Sequence, residues 1–401
     1  MSDFVHRGVR VLVGDAPVRL AELDDDSIDC CVTSPPYWGL RDYGHDGQIG
    51  LESSINDYIE KLVIVFGEVK RVLKPHGSLW LNIGDSYAGS GGPGSQYDRK
   101  AANSYKGEFK KYRNPNRRVV GVKSKDLCGI PWRLAFALQA DGWWLRRDII
   151  WHKPNCMPES VKDRPTTSHE YLFLLTKSPT YFYDSHAIRE SPANPARVST
   201  DAHRDYPSVR GADSSNPNRG GYLQPSAGGR NKRSVWSVNP KPYRGAHFAV
   251  FPPELIEPCV LAGTSAVGCC SECGAPHERQ TEGVATKPPS INKKASITQT
   301  GGVGTERLND SQKKYHTIGW EPTCDCDVEV EPAVVLDPFG GSGTVGGVAM
   351  KHNRFALLIE LNPDYAKLIP KRVDTIASVE RMREAEHEKI VRRTDFGEWF
   401  G

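Results

Sequence analysis

Between Val9 and residue 180, short apolar runs alternate with longer stretches whose apolar positions recur at helical spacing. This rhythm predicts parallel strands joined by crossover helices, with both faces of the sheet covered. Val9–Val13 reads as a strand ending at Gly14-Asp15, and Ile28-Asp29-Cys30-Cys31-Val32 as the next. Residues 55–73 read as a helix, Lys74-Pro75-His76-Gly77 as a turn, and residues 78–83 as a strand. A helix at 130–140 and strands at 145–151 and 171–176 follow. A second block, residues 334–360, contains strand, glycine-rich turn, helix and strand, and a charged helix over about 365–391 is expected to cover one side. The pattern predicts an α/β fold with a mostly parallel, Rossmann-like sheet.

Three stretches do not fit the sheet. Residues 90–125 and 186–245 are loop-like and rich in cations, among them Arg113, Arg117 and Arg118 in the first and Arg230, Lys232 and Arg233 in the second. Tyr97, Tyr105, Phe109 and Tyr112 are interleaved with the first set. In a chain of 401 residues with a net charge of only +3, such local concentration suits a phosphate backbone and unstacked bases. The plainer alternative is a solvated insertion. The third stretch, 264–331, is bracketed by Cys270-Ser271-Glu272-Cys273 and Cys324-Asp325-Cys326. Two thiolate pairs can supply the four soft ligands of a tetrahedral structural zinc site, so a zinc-ribbon-like insertion held by Cys270, Cys273, Cys324 and Cys326 is expected, with Cys269 and His277 as substitute ligands and four unrelated reduced cysteines as the plainer alternative. No run of apolar residues is long enough to span a membrane and the N-terminus has no signal-peptide pattern, which predicts a cytoplasmic protein with reduced cysteines.

The chemistry concentrates at two strand ends. Thr33-Ser34-Pro35-Pro36-Tyr37 stops its strand abruptly, because proline has no amide for a ladder and holds the preceding residue extended. The result is a platform of acceptors beside an aromatic face, without an acid or a metal ligand. It suits a planar group with N–H donors, such as a flipped nucleobase; alternatively it is only loop punctuation. The second site is Asp337-Pro338-Phe339-Gly340-Gly341-Ser342-Gly343-Thr344, a strand running into a turn and a helix, with Glu360 ending the next strand. That spacing suits a nucleoside whose ribose meets the acid. The turn lacks the lysine of a Walker loop, and an acid beside it favours a sulfonium or ammonium group over a pyrophosphate. S-adenosylmethionine carries both.

The ordered set resembles the amino-group DNA methyltransferases, most closely the cytosine-N4 members of their permuted beta group, in which the catalytic motif precedes the cofactor motif. The resemblance rests on Gly14-Asp15 with Leu20, Asp26-Ser27-Ile28-Asp29, Val32 to Tyr37, Leu73 to Leu79, Trp151-His152-Lys153-Pro154, His247 to Pro252, Asp337 to Thr344 and Glu360-Leu361-Asn362-Pro363-Asp364-Tyr365. It implies a circularly permuted class I methyltransferase with a seven-stranded sheet. Ser34, Pro35, Pro36 and Tyr37 would hold the base. Asp337, Phe339, Gly340, Gly341, Ser342, Gly343, Thr344, Glu360 and Asn362 would hold S-adenosylmethionine.

The expected organisation is a catalytic half at 1–185, a target-recognition region at 186–245, and a cofactor half at 246–263 and 332–401, with the cysteine insertion at 264–331. Double-stranded DNA with a flipped base is the expected partner, in a restriction-modification or phage/host DNA protection setting that can include a separate endonuclease. Serine rather than aspartate at position 34 favours cytosine over adenine, whose N6-methylating enzymes are the nearest rival reading. A non-catalytic zinc-containing nucleic-acid-binding protein is the rival from another class. Asp29 is expected to be a turn or packing residue, and Trp143, Trp144 and Trp151 to be core aromatics.

Overall fold

The computed structural model describes residues 2–39, 47–88, 121–190, 229–241, 250–285 and 313–378, and structural statements refer to these. Strands β1 (Phe4–His6) and β2 (Val9–Val13) form a hairpin, and helix α1 (Ala16–Leu20) leads to β3 (Ile28–Thr33). Helix α2 (Ile55–Val72) precedes β4 (Leu73–Ile83); helix α3 (Ile130–Ala140) precedes β5 (Trp144–His152) and β6 (His169–Thr176). After β7 (Val235–Ser237) and helix α4 (Pro253–Gly263) come four short or excursive strands, β8 (Cys269–Cys270), β9 (His277–Ala285), β10 (Lys313–Pro322) and β11 (Val330–Glu331). The chain ends through β12 (Val334–Asp337), α5 (Thr344–Lys351), β13 (Phe355–Glu360), α6 (Pro363–Ala366) and α7 (Ile369–Ala377).

The main sheet runs β1-β2-β13-β12-β3-β4-β6-β5-β7. Strands β2, β13, β12, β3 and β4 are successively parallel, and β6 is antiparallel to both β4 and β5. The sheet has nine strands where seven were expected, β1 and β7 adding an edge strand on each side. Each added strand is three residues long, too short to show a hydrophobic period. The interior strands β3, β12 and β13 are buried along their whole length, which is why they read as continuous apolar runs.

Two sequence expectations change. The turn expected at Lys74 to Gly77 is instead the first part of β4, and a register shift between Ile28 and Cys30 absorbs the irregularity. Gly77 is required there, since a Cβ would lie 2.9 Å from the Lys74 carbonyl oxygen. The expected terminal helix is divided into α6 and α7, with Pro370 in the first turn of the second, and residues 379–391 of that expectation lie outside the described ones.

Helix α2 buries Tyr58, Leu62, Val65, Phe66 and Val69 on one side, and Ser54 caps its start by accepting from the Asp57 N–H at 3.1 Å. The main body comprises residues 1–184, 233–277 and 322–401. The second unit comprises 185–232 and 278–321; its described part is the β9–β10 pair, the Glu190–Arg230 bridge and the edge-on contact of His186 with Tyr315. Among the described residues no helix is long and apolar enough to cross a membrane.

Parallel registry decides where the chemistry can sit. Val335 is opposite Cys30 and Leu336 opposite Cys31, while Glu360 is opposite Val13. The C-terminal ends of β2, β3, β12 and β13 therefore come out along one rim, where an open α/β sheet places ligands.

Candidate active site

Just beyond β3, Ser34 is half-buried and Pro35 buried. The Pro36 carbonyl is already engaged, because the Tyr58 hydroxyl donates to it at 2.8 Å. Tyr37 is held at its tip: its hydroxyl donates to Glu170 Oε2 at 2.7 Å, and Asn82 Oδ1 lies 3.3 Å away. Burial first, and then the Glu170 carboxylate, push the Tyr37 phenol well above its ordinary value, so it stays protonated and donates. Trp38 is buried and donates from Nε1 to the Glu52 carbonyl at 3.0 Å.

The cofactor-type turn leaves β12 across the same rim. Asp337 Oδ1 accepts from the Thr33 hydroxyl at 2.6 Å and from the Phe339 N–H at 3.0 Å, which links the two strand ends. Gly341 and Gly343 have φ of 51° and 86°, a left-handed conformation that glycine adopts without strain. At Gly343 a Cβ would also lie 2.8 Å from Ile369 Cγ2. The Glu360 carboxylate accepts from the Gly341 N–H at 2.7 Å and the Asn362 N–H at 2.8 Å. Burial pushes both Asp337 and Glu360 up to about 7, against the pull of these hydrogen bonds. The hydroxyls of Ser342 and Thr344 are buried without a partner among the described residues.

One cavity of about 190 Å³ is lined by both groups, with Ser34, Pro35, Pro36 and Tyr37 on one side and Asp337, Phe339, Gly340, Gly341, Ser342, Thr344, Glu360 and Asn362 on the other. Gly343 turns the backbone beneath it without lining it. Sequence reasoning did not assign Gln48, Ile49, Val250, Phe251 or Tyr365 to this wall. Val250 and Phe251 belong to a motif that marked the position without a role; Gln48 and Ile49 carried no signal.

Other chemistry-bearing residues lie elsewhere. Cys270, Cys273, Cys324 and Cys326 converge, their sulfur atoms all within 4.8 Å of one another. The Cys273 N–H points to Cys270 Sγ at 3.5 Å, and β8 pairs with β11. Arg113, Arg117 and Arg118 lie outside the described residues. Arg230 Nε pairs with Glu190 Oε2 at 3.0 Å within the second unit, where Lys232 also lies, and the Arg233 carbonyl accepts from Trp236 Nε1 at 2.6 Å in the main body.

Asp29 is at the opposite end of β3 from Ser34, fully enclosed. Its Oδ1 accepts from Lys74 at 2.9 Å and Cys269 at 3.1 Å, with His76 at 3.4 Å, and its Oδ2 from the Val334 N–H at 2.7 Å. Burial alone would raise this carboxyl, but Lys74 and His76 hold it well below the usual range. It is a packing residue, as expected. Trp143 and Trp151 are buried, whereas Trp144 is 47% exposed at the start of β5 and is not a core aromatic.

The rim geometry sets an acid-ended strand pair, a left-handed glycine turn and a proline-stopped strand around one cavity, at the rim where an open α/β sheet holds its ligands. The profile of the DNA methylase family, N6_N4_Mtase, matches residues 28–268 and 330–371, and the chain belongs to that family. The type II methyltransferase M.SmaI of Serratia marcescens is 41% identical over 367 residues, covering 92% of this chain and 91% of that protein. M.XycI of Xanthomonas campestris pv. cyanopsidis is 42% identical over 375 residues, covering 92% and 88%. Among solved structures, the PvuII DNA methyltransferase (cytosine-N4-specific) aligns over 96% of this chain and 92% of that one, with 15% identity and a TM-score of 0.48.

Proposed function

We propose that this chain transfers a methyl group from S-adenosylmethionine to the exocyclic N4 amine of a cytosine flipped out of a specific double-stranded DNA site. The carrying observation is the single cavity shared by the Ser34 platform and the Asp337 to Thr344 turn. The orphaned Ser342 and Thr344 hydroxyls fit a ligand with polar substituents, and the two enclosed acids fit one with ribose hydroxyls and positive charge. When bound, the cofactor supplies an electrophilic methyl group.

The protein's part is alignment. The Ser34 hydroxyl oxygen and the Pro35 carbonyl accept the two amine protons and favour a pyramidal nitrogen whose lone pair faces the methyl; the Pro36 carbonyl is taken by Tyr58. Tyr37 contributes a wall against which the base stacks. A serine at position 34 is a weaker acceptor than an ionised aspartate, which favours cytosine over adenine N6. Mass spectrometry of nucleosides from DNA incubated with the protein and cofactor tests the reading. N4-methylcytosine is the expected product; N6-methyladenine would overturn the choice of base, and unmodified DNA would overturn the enzyme.

The four-cysteine cluster is assigned to a structural zinc ion, which four thiolates saturate, leaving no position for catalysis. The naming of the relatives as type II methyltransferases supports a restriction-modification setting with a separate endonuclease. Residues 186–245 are assigned to target recognition.

A further inference from the structure

We propose that the β9–β10 ribbon is a duplex-DNA-binding arm, so that target recognition belongs to the whole second unit, residues 185–232 with 278–321, rather than to 186–245 alone. The inference rests on the DNA-modifying function proposed above and names the part of the chain that holds the duplex.

Net charge separates the two units. Residues 185–232 and 278–321 carry 14 lysines and arginines against nine aspartates and glutamates, a net +5 in a chain whose total is +3. The main body, with 38 against 40, is net −2. A phosphate backbone is therefore attracted to the second unit, and general attraction to the rest of the molecule is weak. Seven of the 14 cations lie in 185–232 and seven in 278–321. The excursion between Cys273 and Cys324 thus brings as many cations as the segment assigned to recognition.

The ribbon is built to be covered. Among the described residues β9 and β10 pair only with each other, and His316, Thr317 and Ile318 of β10 are all exposed, Ile318 by 65%. Successive strand residues point to opposite sides, so at this point both faces of β10 are open. The ribbon is nevertheless braced. Arg279 Nη1 of β9 donates to Thr317 Oγ1 of β10 at 2.7 Å, and the guanidinium carbon lies 4.4 Å from the centre of the Trp320 ring. His186 meets Tyr315 edge-on with 5.9 Å between ring centres, which joins the two segments of the unit. A two-stranded ribbon of this kind fits the major groove, about 12 Å wide.

Within the main body, the two chain ends that lead into the ribbon are tied to each other. The His277 N–H donates to the Gly268 carbonyl at 3.1 Å, the Ser265 hydroxyl to the His277 carbonyl at 2.7 Å, and the Thr323 hydroxyl to the Pro276 carbonyl at 2.7 Å. Cys270 and Cys273 precede β9, Cys324 and Cys326 follow β10, and their sulfur atoms lie within 4.8 Å of one another. The cluster closes the excursion at its root. Closing it beforehand removes part of the entropy that binding would otherwise have to overcome.

The test measures the affinity of the full-length protein for a fluorescent random-sequence duplex over a range of salt, with S-adenosylmethionine affinity and melting temperature beside it. His316→Glu/Ile318→Glu places two carboxylates on one exposed face of β10. It is expected to raise Kd on the order of tenfold at low salt, the difference shrinking as salt rises, at unchanged cofactor affinity. His316→Ala/Ile318→Ala serves should the charged variant fold poorly, and is expected to weaken duplex binding severalfold through lost contact alone. Wild-type duplex affinity in both variants would overturn the proposal and leave the ribbon to a protein partner. Parallel losses of duplex and cofactor affinity would also overturn it, assigning these residues to the fold. The reaction is judged separately: a wild type that binds the duplex through the ribbon yet leaves it unmethylated in the presence of S-adenosylmethionine removes the proposed reaction and not the arm.

Discussion

At the scale of single residues, the four platform positions have different roles although the sequence presents them as one motif. Pro36 is tied by Tyr58, Tyr37 by Glu170, and Pro35 is buried, which leaves the Ser34 oxygen and the Pro35 carbonyl as acceptors. Ser34→Ala is therefore expected to lower the single-turnover methylation rate about 10–100-fold, the loss of one to two directed hydrogen bonds in an aligned site. Binding of S-adenosylmethionine, measured by calorimetry, is expected to stay within about twofold, within the tolerance for sites without shared partners. Loss of cofactor binding in this variant would show that Ser34 belongs to the cofactor wall instead. The platform and glycine turn were legible because proline and glycine impose backbone states whatever their surroundings. Glu170 was not, since its partners Tyr37 and Asn82 are 133 and 88 positions away in the chain. Nothing local marks one glutamate on a strand as the anchor of a distant tyrosine.

Elements were legible in proportion to their burial. β3, β12 and β13 are enclosed on both faces and appeared as apolar runs, while β1 and β7 at the edges did not, and the first part of β4 was concealed by a proline and a glycine. The chain signalled four cysteines but not what they are attached to. The cysteine segment enters the main body through Cys269, which donates to Asp29, and leaves through β11, three residues before Val334, whose N–H Asp29 also accepts. Asp29 thus joins β3, β4, β8 and β12 at the end of the sheet opposite the cavity. Asp29→Ala is expected to destabilise the fold by about 3–5 kcal/mol, the range for stripping one partner from a buried ion pair. Urea unfolding measures it, and a midpoint unchanged from the wild type would show the cluster to be incidental. Metal analysis of the purified protein is expected to find zinc bound stoichiometrically, and Cys324→Ser to lose it together with several degrees of melting temperature. Zinc retained in full by that variant would move the site elsewhere.

At the scale of the whole molecule, two pairs of acids among the described residues are shifted in opposite directions, which predicts an unusual dependence of stability on pH. Asp337 and Glu360 are pushed up to about 7 by burial. Their reference values are 3.8 and 4.5, so protons bind the folded state more tightly, and the stability they lend is complete below those values and lost as pH rises through about 7. Asp29 and Glu257 are shifted the other way. Glu257 is drawn down to about 2, first by its hydrogen bond from His352 at 2.7 Å and then, against burial, by Lys351; Asp29 is held low by Lys74 and His76. Their contribution is present above the reference carboxylate range and lost as pH falls toward their folded values. The four acids together favour a maximum between about pH 4 and 5 for the ligand-free protein, below the usual range for globular proteins. Binding a cofactor with a sulfonium and an ammonium favours the ionised forms of Asp337 and Glu360 and should release protons at pH 6–7, an order-of-magnitude window from linkage of about one unit around their values. The ligand-free melting temperature is therefore expected to rise as pH falls from 8 to about 5, and saturating S-adenosylmethionine to flatten that rise. Cofactor affinity should weaken as pH falls below about 7. Calorimetry in buffers of different ionisation enthalpy measures the released protons directly. An affinity independent of pH between about 5 and 8 would mean that neither acid faces the charge of the ligand, and would remove the electrostatic argument for this cofactor.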